Sequence, residues 1–428
     1  MIAAINHPKP GSLPGPEDIV RTTLPNGIVV SARRNFNSPS VVIRGYLPVG
    51  GLFDPDEKLG LANFTASALM RGTSERTMQE MYDALESAGA SLGFSCGTHT
   101  TGFSGKALVE DLPLLLDLLH SALCNPTFPD DQIEKLRAQL LTALALRAQN
   151  TGLMASMTFD QIVYNHHPYS HPDDGFQETV QAISRDDLVA CHRNLYGPRG
   201  LVIAIVGAIT PEEAITRAQH VFSDWQNPDQ PAPPPLPPLA PISETTTRNV
   251  NISGKSQADI VMGVAGPPRR APEFLAAALG NSVLGQFGMM GRIGETVREK
   301  TGLAYYAYSS ISGGLGPGPW RVIAGVNPSN VERAVQLIRS EISCFVENPV
   351  SDEELKDSQS NFIGSLPLTL ESNAGVASAL LNLEQFELGL DYYQRYPHLI
   401  NSITAEDVLQ AACAYLDPDK LGVAVAGP

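Results

Sequence analysis

Two blocks of the chain, residues 180–207 (VQAISRDDLVACHRNLYGPRGLVIAIVG) and 400–427 (INSITAEDVLQAACAYLDPDKLGVAVAG), align without a gap at an offset of 220. Ile183 falls on Ile403, Asp187 on Asp407, Pro198 on Pro418, Leu201 on Leu421 and Gly207 on Gly427. Each block has one physical grammar. Ser184 or Thr404 is the N-cap of a helix, and an Asp three residues on approximates a capping box. Leu188 or Val408 opens the apolar face, proline closes the helical region, and the apolar run that follows reads as a buried strand. A second echo joins Asn125-Pro126 and Asp130-Asp131-x-Ile133 to Asn348-Pro349 and Asp352-Glu353-Glu354-Leu355. Two copies of one unit in one chain imply an internal duplication.

The boundary between the copies is legible. Asn227 to Ser243 carries a dense run of prolines, which fix φ and remove backbone donors, so it is neither helix nor central strand. It reads as a semi-rigid linker, the alternative being a proline ligand for another protein. The expected domains are therefore 1–226 and 244–428, joined by 227–243. Within the first copy, Gly27 to Arg34 and Ser40 to Leu47 are rich in β-branched residues and read as strands. Thr77 to Ala88 reads as a helix and Ala90 to Cys96 alternates like a strand. Asp111 to Cys124 and Asp130 to Gln149 read as long helices. Strands followed by packed helices give an α+β layer in each half.

Charge narrows the function. Forty-five acidic residues against 29 basic ones leave a net charge of −16, which argues against a basic face for nucleic acid. Met1 to Gly15 holds Lys9 but no apolar stretch of signal-peptide length, and no segment approaches the roughly 20 apolar residues of a membrane span. Cys96, Cys124, Cys191, Cys344 and Cys413 are odd in number and contain no CxxC. They read as buried free thiols of a cytoplasmic protein.

Lys58 to Thr73, KLGLANFTASALMRGT, reads by itself as an apolar core helix. Its flanks, Gly60-Leu61-Ala62 and Arg71-Gly72-Thr73, resemble those of the zinc-binding helix in the M16 peptidases, the pitrilysin and insulinase family with mitochondrial processing peptidase. Leu24-Pro25-Asn26-Gly27, Gly50-Gly51-Leu52-Phe53-Asp54, His167-Pro168-Tyr169 and Arg298-Glu299-Lys300-Thr301-Gly302-Leu303-Ala304-Tyr305 resemble further segments of that family. The likeness spans essentially Thr22 to Gly427. It implies two homologous α+β domains of LuxS/metallohydrolase-like fold, forming half of a clam-shell.

The family's catalytic motif, His-x-x-Glu-His, does not carry over. Two histidines four apart on one helix face hold zinc and the glutamate is the base. Here the matching positions are Asn63, Ala66 and Ser67. The helix that supplies the family's third ligand, a glutamate, matches Lys135 to Gln149, which contains no acid. No catalytic residue and no metal ligand are expected in this chain.

What the resemblance retains is Arg298 and Tyr305, which match a pair that binds the substrate peptide. On residue type alone Arg298 reads rather as a helix-end charge and Tyr305 as a strand residue. The resemblance to the non-zinc chain of heterodimeric M16B processing peptidases implies a non-catalytic substrate-binding subunit. Its partner would be a zinc-bearing homologue and its ligand a peptide, with no nucleic acid and no membrane. The rival readings are a structural scaffold like the core proteins of respiratory complexes, and an autonomous hydrolase with another site. Gly285 to Gly291 and Gly313 to Gly318 are either mobile lips for substrate or a tight turn and a hairpin loop. His166, His167 and His171 are either a metal-binding cluster or a proline-rich surface loop.

Overall fold

The computed structural model describes residues 13–286 and 291–428. The start of the chain, on which the signal-peptide reading rests, and residues 287–290 of the Gly285–Gly291 segment lie outside the described residues.

The first half opens with strands β1 (Ile19–Thr23), β2 (Val29–Arg34) and β3 (Ser40–Leu47). Helices α1 (Leu61–Ala68) and α2 (Met78–Ser87) lead to the hairpin of β4 (Ser91–Cys96) and β5 (Thr101–Leu108). Five helices follow: α3 (Leu112–Cys124), α4 (Asp130–Arg147), α5 (Thr151–Val163), α6 (Gln177–Ala182) and α7 (Arg185–Leu195). Strand β6 (Val202–Gly207) and helix α8 (Pro211–Phe222) close it. The second half repeats the plan with β7 (Thr246–Asn251), β8 (Ala258–Ala265), α9 (Phe274–Asn281), β9 (Ala304–Gly313) and β10 (Pro317–Val326). Then come α10 (Val331–Glu347), α11 (Asp352–Thr369), α12 (Asn373–Gln385), α13 (Tyr392–Asn401), α14 (Ala405–Tyr415) and β11 (Gly422–Gly427).

The strands form a sheet ordered β1-β2-β6-β3-β5-β4 and another ordered β7-β11-β8-β10-β9. β6 and β11 take the same place in each, parallel to one neighbour and antiparallel to the other. The fold is α+β and duplicated, as the repeat implied. Both capping boxes form: Ser184 and Thr404 accept from the backbone N–H groups of Asp187 and Asp407, whose carboxylates accept in return. Every residue of β6 is buried, because helices cover both faces of the sheet there, and this accounts for its unbroken apolar run.

One feature of the packing crosses the duplication. Helix α5 comes from the first half but lays Ala155, Phe159, Ile162 and Val163 on Val261, Ala424 and Ala426 of the second sheet. Its counterpart α12 lays Val376, Ala377, Leu380 and Leu383 on Val42, Ala204 and Val206 of the first. The halves thus exchange a helix. The linker is anchored at its start: buried Gln230 accepts from the Arg199 N–H and donates to its carbonyl, each at 3.0 Å. The cysteines need a correction. All five are free, but Cys344 and Cys413 are exposed, because they lie on outward faces of α10 and α14 rather than in a core.

Candidate functional site

Helix α1 starts at Gly60, whose φ of +95° suits glycine and where a Cβ would meet the Asp174 carbonyl oxygen at 2.9 Å. No N-cap side chain serves the helix. Asp54 does so from outside, accepting from the N–H groups of Gly60 (2.8 Å) and Ala62 (2.9 Å). Burial nevertheless pushes the Asp54 carboxyl up to about 7, against the pull of those N–H groups and with added repulsion from Asp173. Asn63 and Ser67 are half-buried on one face of the helix, and Ala66 is buried. Helix α4 packs beside α1. Arg137 lies over the Phe64 ring at 5.2 Å, and Arg71 donates to Gln139 at 2.8 Å.

These residues do not fit a catalytic zinc. A carboxamide, a methyl and a hydroxyl supply neither soft nitrogen donors nor a base. The acids of α4 stop at Glu134, in its first turns. Among the described residues no group of three or more His, Cys, Asp or Glu side chains is placed to hold a metal. The histidine loop does not make one. His167 is buried and its Nδ1 accepts from the Tyr169 N–H at 3.2 Å, while His166 and His171 are exposed. Tyr169 also bonds His99 at 2.5 Å, so the turn serves packing. Beside it lies a polar cavity of about 610 Å³, lined by Asp54, Asp173 and the three histidines among others. Burial raises both carboxyls and lowers His167 and His99.

Arg298 and Tyr305 come from one segment. A π-helical turn, Gly294–Glu299, ends where Gly302, at φ +63°, donates to the Arg298 carbonyl at 2.8 Å. Buried Val297 anchors the turn, and the Arg298 side chain is 41% exposed, its guanidinium 3.8 Å from Glu299. Tyr305 is 60% exposed. Along β9 and β10, Gly325 pairs with Tyr306 but Val326 pairs with Ala304, so Tyr305 is the extra residue of a β-bulge. A bulge re-aims its side chain, and β9 is an edge strand. Among the described residues no hydrogen bond joins Arg298 to Tyr305 or occupies either side chain. Within Gly313 to Gly318, residues 314–316 connect the β9–β10 hairpin, while Gly313 ends β9 and Gly318 lies in β10.

The sequence reading missed a network next to Tyr305. Asp259, 2% exposed, accepts from Tyr306 Oη and Thr151 Oγ1, and from Gln257 Nε2 at 2.9 Å. It ties the base of β9 to the first turn of the exchanged helix α5. The available signal was a lone acid in an apolar strand, ADIVMGVA.

Two family models match the chain. "Insulinase (Peptidase family M16)" covers residues 29–172 and "Peptidase M16 inactive domain" covers 182–362. An uncharacterised zinc protease of Streptomyces coelicolor is 26% identical over 84% of this chain and 79% of its own length. Another, of Mycobacterium leprae, is 25% identical over 96% and 92%. The crystal structure of a peptidase M16 inactive domain from Pseudomonas fluorescens superposes with a TM-score of 0.90. It is 25% identical, covering 96% of this chain and 98% of that one.

Proposed function

This chain belongs to the M16 (insulinase) peptidase family, and we propose that it acts there as the non-catalytic, substrate-binding subunit of a zinc peptidase. The observation that carries the reading is an asymmetry between two sites. Helix α1 keeps its cap and its packing while Asn63, Ala66 and Ser67 stand where ligands and base belong. Arg298 and Tyr305 stay exposed, one at the end of a turn and the other on the bulge of an edge strand. A guanidinium and a phenol there are free to donate to a peptide carbonyl or a developing oxyanion. β9 is the last strand of its sheet, the kind of element to which an extended peptide can add. Zinc, base and activated water belong to a homologous partner that carries the intact motif.

The test is a mixed assembly. This chain and a zinc-bearing homologue should form a 1:1 complex whose activity exceeds that of the homologue alone. Arg298→Ala should lower kcat/KM by roughly 100–1000-fold if it serves the oxyanion, the worth of about 2.7–4 kcal/mol. Tyr305→Phe should cost about 0.5–1.5 kcal/mol, mainly in KM. Zinc content and assembly should not change. Wild-type kinetics in both variants would leave a scaffold role in its place.

A further inference from the structure

The exchange of α12 creates a cleft that the Arg298 segment does not line. One wall is the outer face of the first sheet. The other is a single stripe of α12, Ser378, Leu381, Asn382 and Gln385, at helical spacing. The cleft has a volume of about 480 Å³ and reaches the edge strand β4 at Gly93 and Ser95. Among the described residues, Arg44, on β3, is the one charged side chain that lines it.

Arg44 is half-buried and poorly served. Its Nη1 donates to Ser378 Oγ, and its Nε–H is shut off from solvent with no acceptor among the described residues. None of the ion pairs among those residues includes it. A guanidinium offers five donors and binds carboxylates through a planar fork, so one hydroxyl leaves most of that capacity unused. The nearby charges are already matched. Glu384 pairs with Arg21 at 2.5 and 3.1 Å, and Arg270 with Glu387 at 2.8 Å. Across the ladder from Arg44 stands exposed Ser104. Lys106, two residues further on the same face of β5, adds a second cation without a carboxylate partner among the described residues. The remaining polar groups of the lining are neutral: Ser95, Ser104, Thr100 and Asn382 among them.

We propose that this cleft is a carboxylate-binding subsite, which takes an acidic side chain or the C-terminal carboxylate of a peptide. The proposal rests on the peptide-binding reading above and names the substrate chemistry that reading leaves open. One guanidinium in the lining matches one negative charge. Nη2 is neither hydrogen-bonded among the described residues nor sealed from solvent as Nε is, so it is the donor left for a carboxylate, and the pair would be charge-assisted. The chain as a whole is strongly acidic, so selectivity for an anion must come from such a local cation rather than from the overall field.

Three fluorescent peptides of one neutral sequence test it by anisotropy with the full chain. The first carries an internal Glu and an amidated end, the second a free C-terminal carboxylate and no acid, the third neither. The first or second should bind at least about tenfold more tightly than the third, and which one does so identifies the source of the carboxylate. Arg44→Gln should erase the difference. Ser104→Glu, at an exposed position facing Arg44, supplies a competing carboxylate without disturbing the core and should erase it too. Equal binding of all three peptides overturns the subsite and leaves the peptide-binding reading standing. Discrimination that survives both variants also overturns it, and no binding of any peptide overturns both. Discrimination lost in both variants, alongside a mixed assembly indifferent to Arg298 and Tyr305, supports the subsite and refutes the catalytic partnership.

Discussion

Phe159 stands in the first half of the chain but should stabilise the second. Its side chain is fully buried on α5, against Val261 and Ala424, and its ring lies 3.5 Å from where a Cβ on Gly422 would be. The Arg321 guanidinium lies over the ring at 5.9 Å. Truncating a buried Phe to Ala costs about 3–5 kcal/mol through lost transfer energy and the cavity left behind. Loss of the cation–π contact is part of that cost. The protein carries its own reporters, because its two tryptophans, Trp225 and Trp320, sit in the first and second cores. Trp225→Phe and Trp320→Phe each leave one probe, so urea unfolding followed by fluorescence reads each core separately. Phe159→Ala should lower the midpoint reported by Trp320, alone or together with that of Trp225. The reciprocal change, Leu380→Ala on α12, buried against the first sheet, should cost about 2–5 kcal/mol and lower the Trp225 midpoint. A Phe159→Ala protein whose Trp225 transition falls by the full amount while its Trp320 transition stays in place would refute the exchange.

Tyr306→Phe removes one hydrogen bond to the buried Asp259 carboxylate and should cost about 1.5–3 kcal/mol in the Trp320 transition; a loss below about 0.5 kcal/mol would mean that Gln257 and Thr151 suffice. The Asp54 carboxyl, raised to about 7 when folded against 3.8 as its ordinary value, holds a proton that the unfolded chain sheds. Its contribution is full below about pH 4 and is lost as pH rises through 7. Asp54→Asn should therefore flatten the urea midpoint between pH 4.5 and 7.5, and an unchanged slope would count against it. Two thiols, Cys344 and Cys413, should react rapidly with a disulfide reagent in the native protein. Cys96, Cys124 and Cys191, whose thiols burial pushes up, should react only on unfolding, as titration of single-cysteine variants would show.

The duplication was legible because its marks are local. Ser184 with Asp187, and Thr404 with Asp407, close their capping boxes within four residues, so the spacing alone implies the contact. The exchange of α5 and α12 was not. An apolar stripe such as Ala155, Phe159 and Ile162 is the same whichever sheet receives it. Tyr305 was legible as a candidate through family likeness, but its bulge was not, since a bulge is a mismatch with β10 and exists only across the pair. Cys344 and Cys413 were misread for a related reason. Each has apolar neighbours in the chain, but the buried face of α10 runs through Ala334, Ile338, Ile342 and Phe345 and that of α14 through Val408, Ala411 and Ala412, which leaves both cysteines outside.

Helix α1 is held chiefly from outside the three positions that match the zinc motif, of which Ala66 alone is buried. Asp54 caps it, Phe64 and Leu69 bury its inner side, and Arg137 and Gln139 hold it from α4. A metal ligand set adds binding energy to the fold only where ligands exist. Here Asn63 and Ser67 are half-buried, uncharged side chains that add no charge of their own to the helix. The function proposed above asks no more of α1 than this packing. The residues it assigns to a peptide lie elsewhere, on the β9 bulge and in the Arg44 cleft.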